Sequence, residues 1–186
     1  MGRFEEYTPD KNRGDKQEML RKVIIREAAL RDCDDLTRLQ LARTPDDYNK
    51  VLAKFKNEIS GLSHLNKLLL IAETEQGLIG YARAFYFVPS DYTDSRNCPE
   101  GWYLTGVLID QAHRRLGVAS AFTLYRLDWI AERADKAYYF ANAQNRVSIE
   151  LHKKFGFEEL TRDFVYPKVE FEGGEGILFV VNLTKH

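Results

Sequence analysis

Residues 102–134 constrain the fold more than any other part of the chain. Residues 102–109 form an apolar run of strand length, and from Val118 onward apolar side chains recur at helical spacing. A short basic turn with small residues joins the two. A strand leading directly into a long apolar helix predicts a sheet with helices packed on its faces. Gly106 inside the strand predicts a bulge or a close backbone approach.

The rest of the chain alternates strand and helix patterns. A strand is predicted at 22–26, and helices are predicted over 32–41, where Asp32 is the N-cap, and from Pro45 to Ile59. Further strands are predicted at 68–73, 78–88, 137–142, 157–165 and 177–183, and a last helix at 147–155. The order β-α-α-β-β-β-α-β-α-β-β predicts one mixed α/β domain over residues 22–186, with a mostly antiparallel central sheet. Residues 1–21 are predicted to be a flexible charged tail.

Composition excludes several classes of protein. The chain of 186 residues is 44% apolar, and no apolar run approaches the ~20 residues that span a bilayer. The charged N-terminus lacks the apolar core of a secretory signal, so a cytoplasmic protein is expected. Cys33 and Cys98 lie far apart and without metal-ligand spacing, so we expect no disulfide and no metal. The net charge of −1 and the lack of a basic stripe predict no nucleic-acid partner.

The turn between the central strand and its helix has the chemistry of an anion site. The first N–H groups of a helix have no intrahelical partner, and the summed peptide dipoles add about half a positive charge there. Gly117 allows close backbone approach, Ala119 keeps the next turn small, and Arg114 and Arg115 add positive charge. The segment therefore predicts a pyrophosphate site, with an ordinary basic turn as the alternative.

Two motifs resemble those of the GCN5-related N-acetyltransferase (GNAT) superfamily. Residues 114–119, Arg-Arg-Leu-Gly-Val-Ala, match its pyrophosphate loop, Arg/Gln-x-x-Gly-x-Gly/Ala. Residues 145–157 look like its Asn-x-x-Ala-x-x-Leu-Tyr-x-x-x-Gly-Phe helix, and the order of elements is similar over about residues 22–183. The resemblance implies acetyl-CoA as the acetyl donor. It implies a pantetheine arm paired with the backbone of Val107, Leu108 and Ile109. It implies cofactor contacts from Arg114, Arg115, Leu116, Gly117, Val118, Ala119, Ser120 and Asn145.

The catalytic residues follow less directly from this resemblance. The family's helix usually carries a Tyr that protonates the departing thiolate, and His152 stands in that place. Imidazole can act as such an acid, so His152 is the predicted acid; a packing role is the alternative, with Tyr125, Tyr138 and Tyr139 as replacements. Glu100 is the predicted base for the amine. Neither motif contains Cys, which favours direct attack in a ternary complex.

Three functions remain open, two of which differ in the molecule that accepts the acetyl group. The first is acetylation of a small-molecule primary amine, aminoglycoside-like or polyamine-like, because several acids fall in loops expected to border the acceptor cleft. These acids are Asp91, Asp94, Glu100, Glu170, Glu172 and Glu175. The second is acetylation of a protein N-terminus or lysine, and the third is a non-catalytic acetyl-CoA-binding module. No membrane partner is expected, and a homodimer is left open.

Overall fold

The computed structural model describes residues 22–61, 66–90, 95–171 and 173–184. The predicted tail, 1–21, lies outside the described residues. Within them, seven strands form one sheet in the order β1-β2-β3-β4-β5-β7-β6, in which only the β4–β5 pair is parallel. The elements are β1 (Ile24–Glu27), α1 (Cys33–Arg43), α2 (Tyr48–Ser60), β2 (Lys67–Thr74), β3 (Gly77–Phe87), β4 (Gly101–Ile109), α3 (Val118–Ala131), β5 (Lys136–Asn142), α4 (Arg146–Lys153), β6 (Glu158–Thr161) and β7 (Gly176–Asn182). The predicted order and the mixed α/β class are confirmed.

Both faces of the sheet are covered. On the first face α3 and α4 pack through Phe122 and Ile149 onto the largest apolar cluster. On the second face α1 and α2 cover one half of the sheet, and Phe55 is buried there. The segment 164–171 covers the other half around the buried Tyr103. On the second face, β3 and β4 therefore lie between the α1–α2 pair on one side and the segment 164–171 on the other.

The sheet is irregular at the middle of β4. Arg83 pairs with Thr105 and Tyr81 pairs with Leu108, so Gly106 and Val107 together face one residue of β3. Gly106 has a φ of 51°, a conformation that suits glycine. The predicted bulge is confirmed.

The neighbouring strands β4 and β5 separate at the same level. They pair over only three residues each, and the last pair joins Leu104 to Tyr139. Beyond it, β4 continues to Ile109 and β5 to Asn142 without pairing to each other. The two strands therefore open a cleft inside the sheet, and the edge of β4 from Thr105 onward faces it.

Several predicted boundaries are wrong by a few residues. The second helix begins at Tyr48 rather than Pro45, because the Asp47 side chain accepts a hydrogen bond from the Lys50 N–H and forms the N-cap. Asp32 makes no capping bond to α1, since its carboxylate binds Arg26 and the Ala29 N–H. The strand expected up to Val165 ends at Thr161, whose hydroxyl accepts a hydrogen bond from the Asp163 N–H in a turn.

Candidate active site

The N-terminus of α3 opens into a cavity of about 810 Å³, which we call the phosphate groove. Gly117 is the N-cap, with a φ of 91°, and the first turn of α3 receives no side-chain cap. By contrast, α2 and α4 are capped by Asp47 and Asn145. The N–H groups of the first turn of α3 therefore keep their capacity to bind an anion.

Most of the predicted phosphate contacts line this groove. They are Arg114, Arg115, Gly117, Val118, Ala119 and Ser120. Leu116 instead packs against the main apolar cluster. Arg146 of α4 and Lys154, the residue directly after α4, also line the groove and add positive charge. Sequence reasoning missed both, because their position across from α3 depends on how α4 packs.

The opening between β4 and β5 forms a second cavity of about 500 Å³, the central cleft. Gly106 and Val107 line it on the β4 side, and Tyr139 and Phe140 on the β5 side. Tyr139 belongs to the cluster on the first face and Phe140 packs against that on the second. The cleft therefore passes through the sheet from one face to the other.

The other predicted contacts of the cofactor arm lie along or beside this cleft. Val107 is 40% exposed, whereas the side chain of Leu108 is buried in the cluster under α2. The Ile109 carbonyl accepts a hydrogen bond from Arg114 Nε at 3.2 Å. Asn145 lines the cleft, and its Oδ1 caps α4 by accepting from the Ser148 N–H. A hydrogen bond from Asn145 to a cofactor would therefore come from Nδ2.

Arg126 of α3 is buried in the wall of the cleft. Its Nη1 donates to the backbone carbonyls of Arg83 at 3.0 Å and Thr105 at 3.4 Å, next to the β4 bulge. Burial lowers its pKa to about 9, so the guanidinium stays charged at neutral pH. No described carboxylate forms a salt bridge with it. Arg126 thus fixes the carbonyls of the bulge and brings a positive charge to the cleft.

His152 is buried beside Arg126 and lines the same cleft. Its Nδ1 lies 2.8 Å from the Ser148 carbonyl, which can only accept, so Nδ1 carries the hydrogen and Nε2 a lone pair. The ring stacks on Tyr139 at 3.7 Å between centroids. Burial, helped by the nearby charge of Arg126, lowers the pKa of His152 to about 4, although the hydrogen bond to the Ser148 carbonyl acts in the opposite direction. At neutral pH His152 is therefore a neutral hydrogen-bond acceptor in the cleft.

The protonated groups next to His152 are Tyr139 and Ser148. Tyr139 Oη donates to Ser148 Oγ at 2.7 Å, and both residues line the cleft. Burial raises the pKa of Tyr139 to about 12, so the phenol keeps its proton at neutral pH. Ser148 stands where the motif in the resemblance has Ala, one turn before His152. Ser148 and His152, the two residues that depart from that motif, are thus in direct contact through the Ser148 carbonyl.

Glu100 lies away from these groups. It is exposed, accepts a hydrogen bond from Tyr86 Oη at 2.8 Å, and lies at the start of β4. Leu104, where the cleft begins, lies four positions further along the chain, a distance of ~13 Å in an extended strand. The structure therefore does not bring Glu100 together with His152.

Comparison with known proteins identifies the family. The model of the acetyltransferase (GNAT) family matches residues 27–157. The chain belongs to this family. No curated protein sequence matches it significantly. The predicted N-acetyltransferase class is confirmed at the level of the family.

Solved structures share the GNAT fold at low sequence identity. Arabidopsis thaliana NAA60 in complex with a bisubstrate analogue is 19% identical over 88% of this chain and 99% of its own, with a TM-score of 0.63. Vibrio cholerae spermidine N-acetyltransferase with CoA and spermine is 14% identical over 89% and 98%, with a TM-score of 0.62. A putative acetyltransferase from Salmonella typhimurium with acetyl-CoA is 21% identical over 89% and 96%, with a TM-score of 0.60.

The described part of this GNAT chain contains neither a candidate metal site nor a candidate membrane span. Over these residues, no group of three or more His, Cys, Asp and Glu side chains is placed to hold a metal ion. None of the described helices is long and apolar enough to cross a membrane.

The buried imidazole of this GNAT domain makes its stability pH-dependent. The pKa of His152 is about 4 in the folded chain and about 6.5 when unfolded, so the unfolded state binds the proton first as the pH falls. We expect the free energy of unfolding to decrease between pH 6.5 and pH 4, with a contribution from His152 of ~3 kcal/mol. Urea unfolding of the wild type and of His152→Phe at several pH values tests this. An equally steep loss in the variant would assign the effect to other groups.

Proposed function

We propose that this chain is an acetyl-CoA-dependent N-acetyltransferase that acts by direct attack of an amine in a ternary complex. The observation that carries the proposal is the continuity of the two cavities along β4. Ile109 lines the phosphate groove and Val107 lines the central cleft, two residues apart on one strand. A single extended ligand with a charged end can therefore occupy both cavities.

The residues along this path fit the chemistry of acetyl-CoA. The first turn of α3, with Arg114 and Arg115, offers N–H groups and positive charge to a pyrophosphate. The unpaired edge of β4 around Val107 suits an extended chain that contains amides. Val147 lines the groove and is 85% exposed, so it offers an apolar contact to the same ligand.

The cleft supplies charge and protons for the transfer. The amine nitrogen forms a bond to the acetyl carbon and gives a proton to solvent water, while the carbon–sulfur bond breaks and the sulfur leaves as a thiolate that takes up a proton. Arg126 places a fixed positive charge in the wall where negative charge develops on oxygen and sulfur. Ser148 Oγ is the proposed source of the proton for the thiolate, Tyr139 replaces that proton through its hydrogen bond to Ser148, and water returns one to Tyr139.

His152 remains the second candidate for the proton donor, by its place in the motif. For this role its imidazole would have to be protonated while buried next to Arg126, which its pKa of about 4 opposes. Its observed contacts support a different task. By stacking on Tyr139 and binding the Ser148 carbonyl, His152 holds the hydrogen-bonded Tyr139–Ser148 pair in place.

The proposed acceptor is a primary amine on a small molecule. The segment 164–171, with Phe164 and Tyr166 buried, covers the second face beside the cleft and leaves less room for an extended peptide. The loop acids give no support to a polycationic acceptor. Asp91, Asp94 and Glu172 lie outside the described residues. Glu100 accepts a hydrogen bond from Tyr86, Glu175 is paired with Arg162, and Glu170 lines neither the phosphate groove nor the central cleft.

Release of thiol from acetyl-CoA with a panel of primary amines separates an enzyme from a binding module. We expect amine-dependent release with the mass of an acetylated amine as product. Tight acetyl-CoA binding without release by any amine or peptide N-terminus would instead identify a binding module.

A further inference from the structure

A third cavity, of about 780 Å³, lies on the second face of the sheet between α2 and β3, and we call it the basic groove. It shares Phe85 and Thr105 with the central cleft, so the two cavities meet at the bulge of β4. A molecule approaching the cleft from this face lies in the basic groove. Its charged lining consists of Lys50, Lys54, Glu58, Lys67 and Arg83.

The acid of this lining lies next to the bulge. Arg83 Nε and Nη2 donate to the two Glu58 oxygens at 2.6 and 3.0 Å, and both side chains are about four-fifths buried. A methyl group placed on Gly106 would lie 3.3 Å from Arg83 Nη1, so Arg83 packs directly against the bulge and Glu58 is bound to the far side of the same guanidinium. Each carboxylate oxygen has a second acceptor position, which Glu58 can offer to an amine.

The lysines form the outer wall. Lys50 Nζ lies 3.0 Å from the carboxylate of Asp46, and Asp46 does not line the groove. Lys54 and Lys67 form no salt bridge with any described residue. The sequence between α2 and β2, residues 62–65, contains no acid. Among the described residues that line the basic groove, positive charge therefore dominates, and Glu58 is the one carboxylate.

We propose that the acceptor is a primary amine that also carries a carboxylate or a phosphate. This inference rests on the proposed function and assigns its substrate class. Glu58 receives the amine beside the bulge, and the wall of Lys54 and Lys67 attracts the acidic group. A polyamine would bring its second cation against the same lysines, and like charges in that position oppose binding.

Chain-matched acceptors test the charge preference directly. The series compares ω-amino carboxylates, ω-amino phosphates, amino alcohols and α,ω-diamines of equal length in the thiol-release assay. We expect kcat/KM to be at least about tenfold higher for one or both anionic arms than for the alcohols, with the diamines lowest. The preference should weaken as salt is added, because the charges are exposed. Equal rates for all arms, or fastest release with diamines, would overturn the inference and leave the acetyltransferase function standing.

Charge reversal locates the preference in the groove. Lys54→Glu and Lys67→Glu should each raise several-fold the ratio of KM for the anionic acceptor to KM for the matched alcohol. Lys56→Glu is the control, since Lys56 is an exposed residue of the same helix that does not line the groove. An equal effect of Lys56→Glu would reduce the preference to overall charge and contradict the assignment. Absence of thiol release with every amine, despite intact acetyl-CoA binding, would refute the proposed function itself.

Discussion

Gly117→Glu is expected to abolish acetyl-CoA binding while the protein remains folded. The new side chain would stand at the N-terminus of α3, where a pyrophosphate is proposed to bind, and its carboxylate would repel the phosphates. It could also occupy the free N–H groups itself. We expect calorimetric titration to show affinity for acetyl-CoA weakened at least about a hundredfold, which corresponds to ~2.7 kcal/mol.

A matched control separates this effect from backbone strain. Gly117 has a positive φ, so any other residue is strained there. Gly77 in the β2–β3 turn also has a positive φ, and a side chain added there meets nothing within 4 Å. Gly77→Glu should therefore lower the melting temperature without changing acetyl-CoA affinity. Wild-type affinity in folded Gly117→Glu would remove the proposed phosphate site.

Removal of the hydroxyl group of either Tyr139 or Ser148 is expected to slow the chemical step strongly. If the Tyr139–Ser148 pair delivers the proton to the leaving thiolate, Ser148→Ala and Tyr139→Phe should lower kcat by roughly 10²- to 10⁴-fold, the range for general acid catalysis. Acetyl-CoA affinity should change little, since neither hydroxyl lies in the phosphate groove. Single-turnover rates at saturating acetyl-CoA and amine provide the measurement, and thermal melting checks the fold.

His152→Phe distinguishes the two candidate donors. Phe retains an aromatic ring for stacking on Tyr139 and loses the bond to the Ser148 carbonyl. We expect kcat of this variant to stay within about tenfold of wild type, because His152 is neutral and donates no proton to sulfur. A larger loss in His152→Phe than in Ser148→Ala, restored in part by His152→Tyr, would return the acid role to position 152.

The elements with strong local signals were predictable from the sequence. The β2–β3 hairpin, the helix α3 and the bulge at Gly106 all depend on residues close together in the chain, and the structure confirms each. The uncapped start of α3 after Gly117 was predictable for the same reason, since the glycine and the apolar helix are contiguous, while phosphate binding there stays a prediction. Boundaries such as Pro45 were less certain, because Asp47, two residues further on, supplies the competing cap.

The interior of the proposed active site was not predictable in the same way. Tyr139 reads as a core aromatic of β5, and only the packing of α4 brings its hydroxyl to Ser148. The pKa of His152 depends on burial, which the motif does not state. Arg126 did carry a signal, since it lies four residues from both Phe122 and Ile130 on the buried stripe of α3. A charged residue on an apolar stripe indicates a functional or structural partner in the core.

The most direct test of acetyl transfer follows the acetyl group itself. Acetyl-CoA labelled with carbon-13 in the acetyl carbonyl is incubated with the wild type or Gly117→Glu and with an anionic primary amine, and the product is analysed by mass spectrometry and carbon NMR. The account predicts a labelled amide on the amine nitrogen, formed in equal amount to the free CoA thiol by the wild type only. Thiol release without labelled amide, or equal amide formation by folded Gly117→Glu, would contradict it.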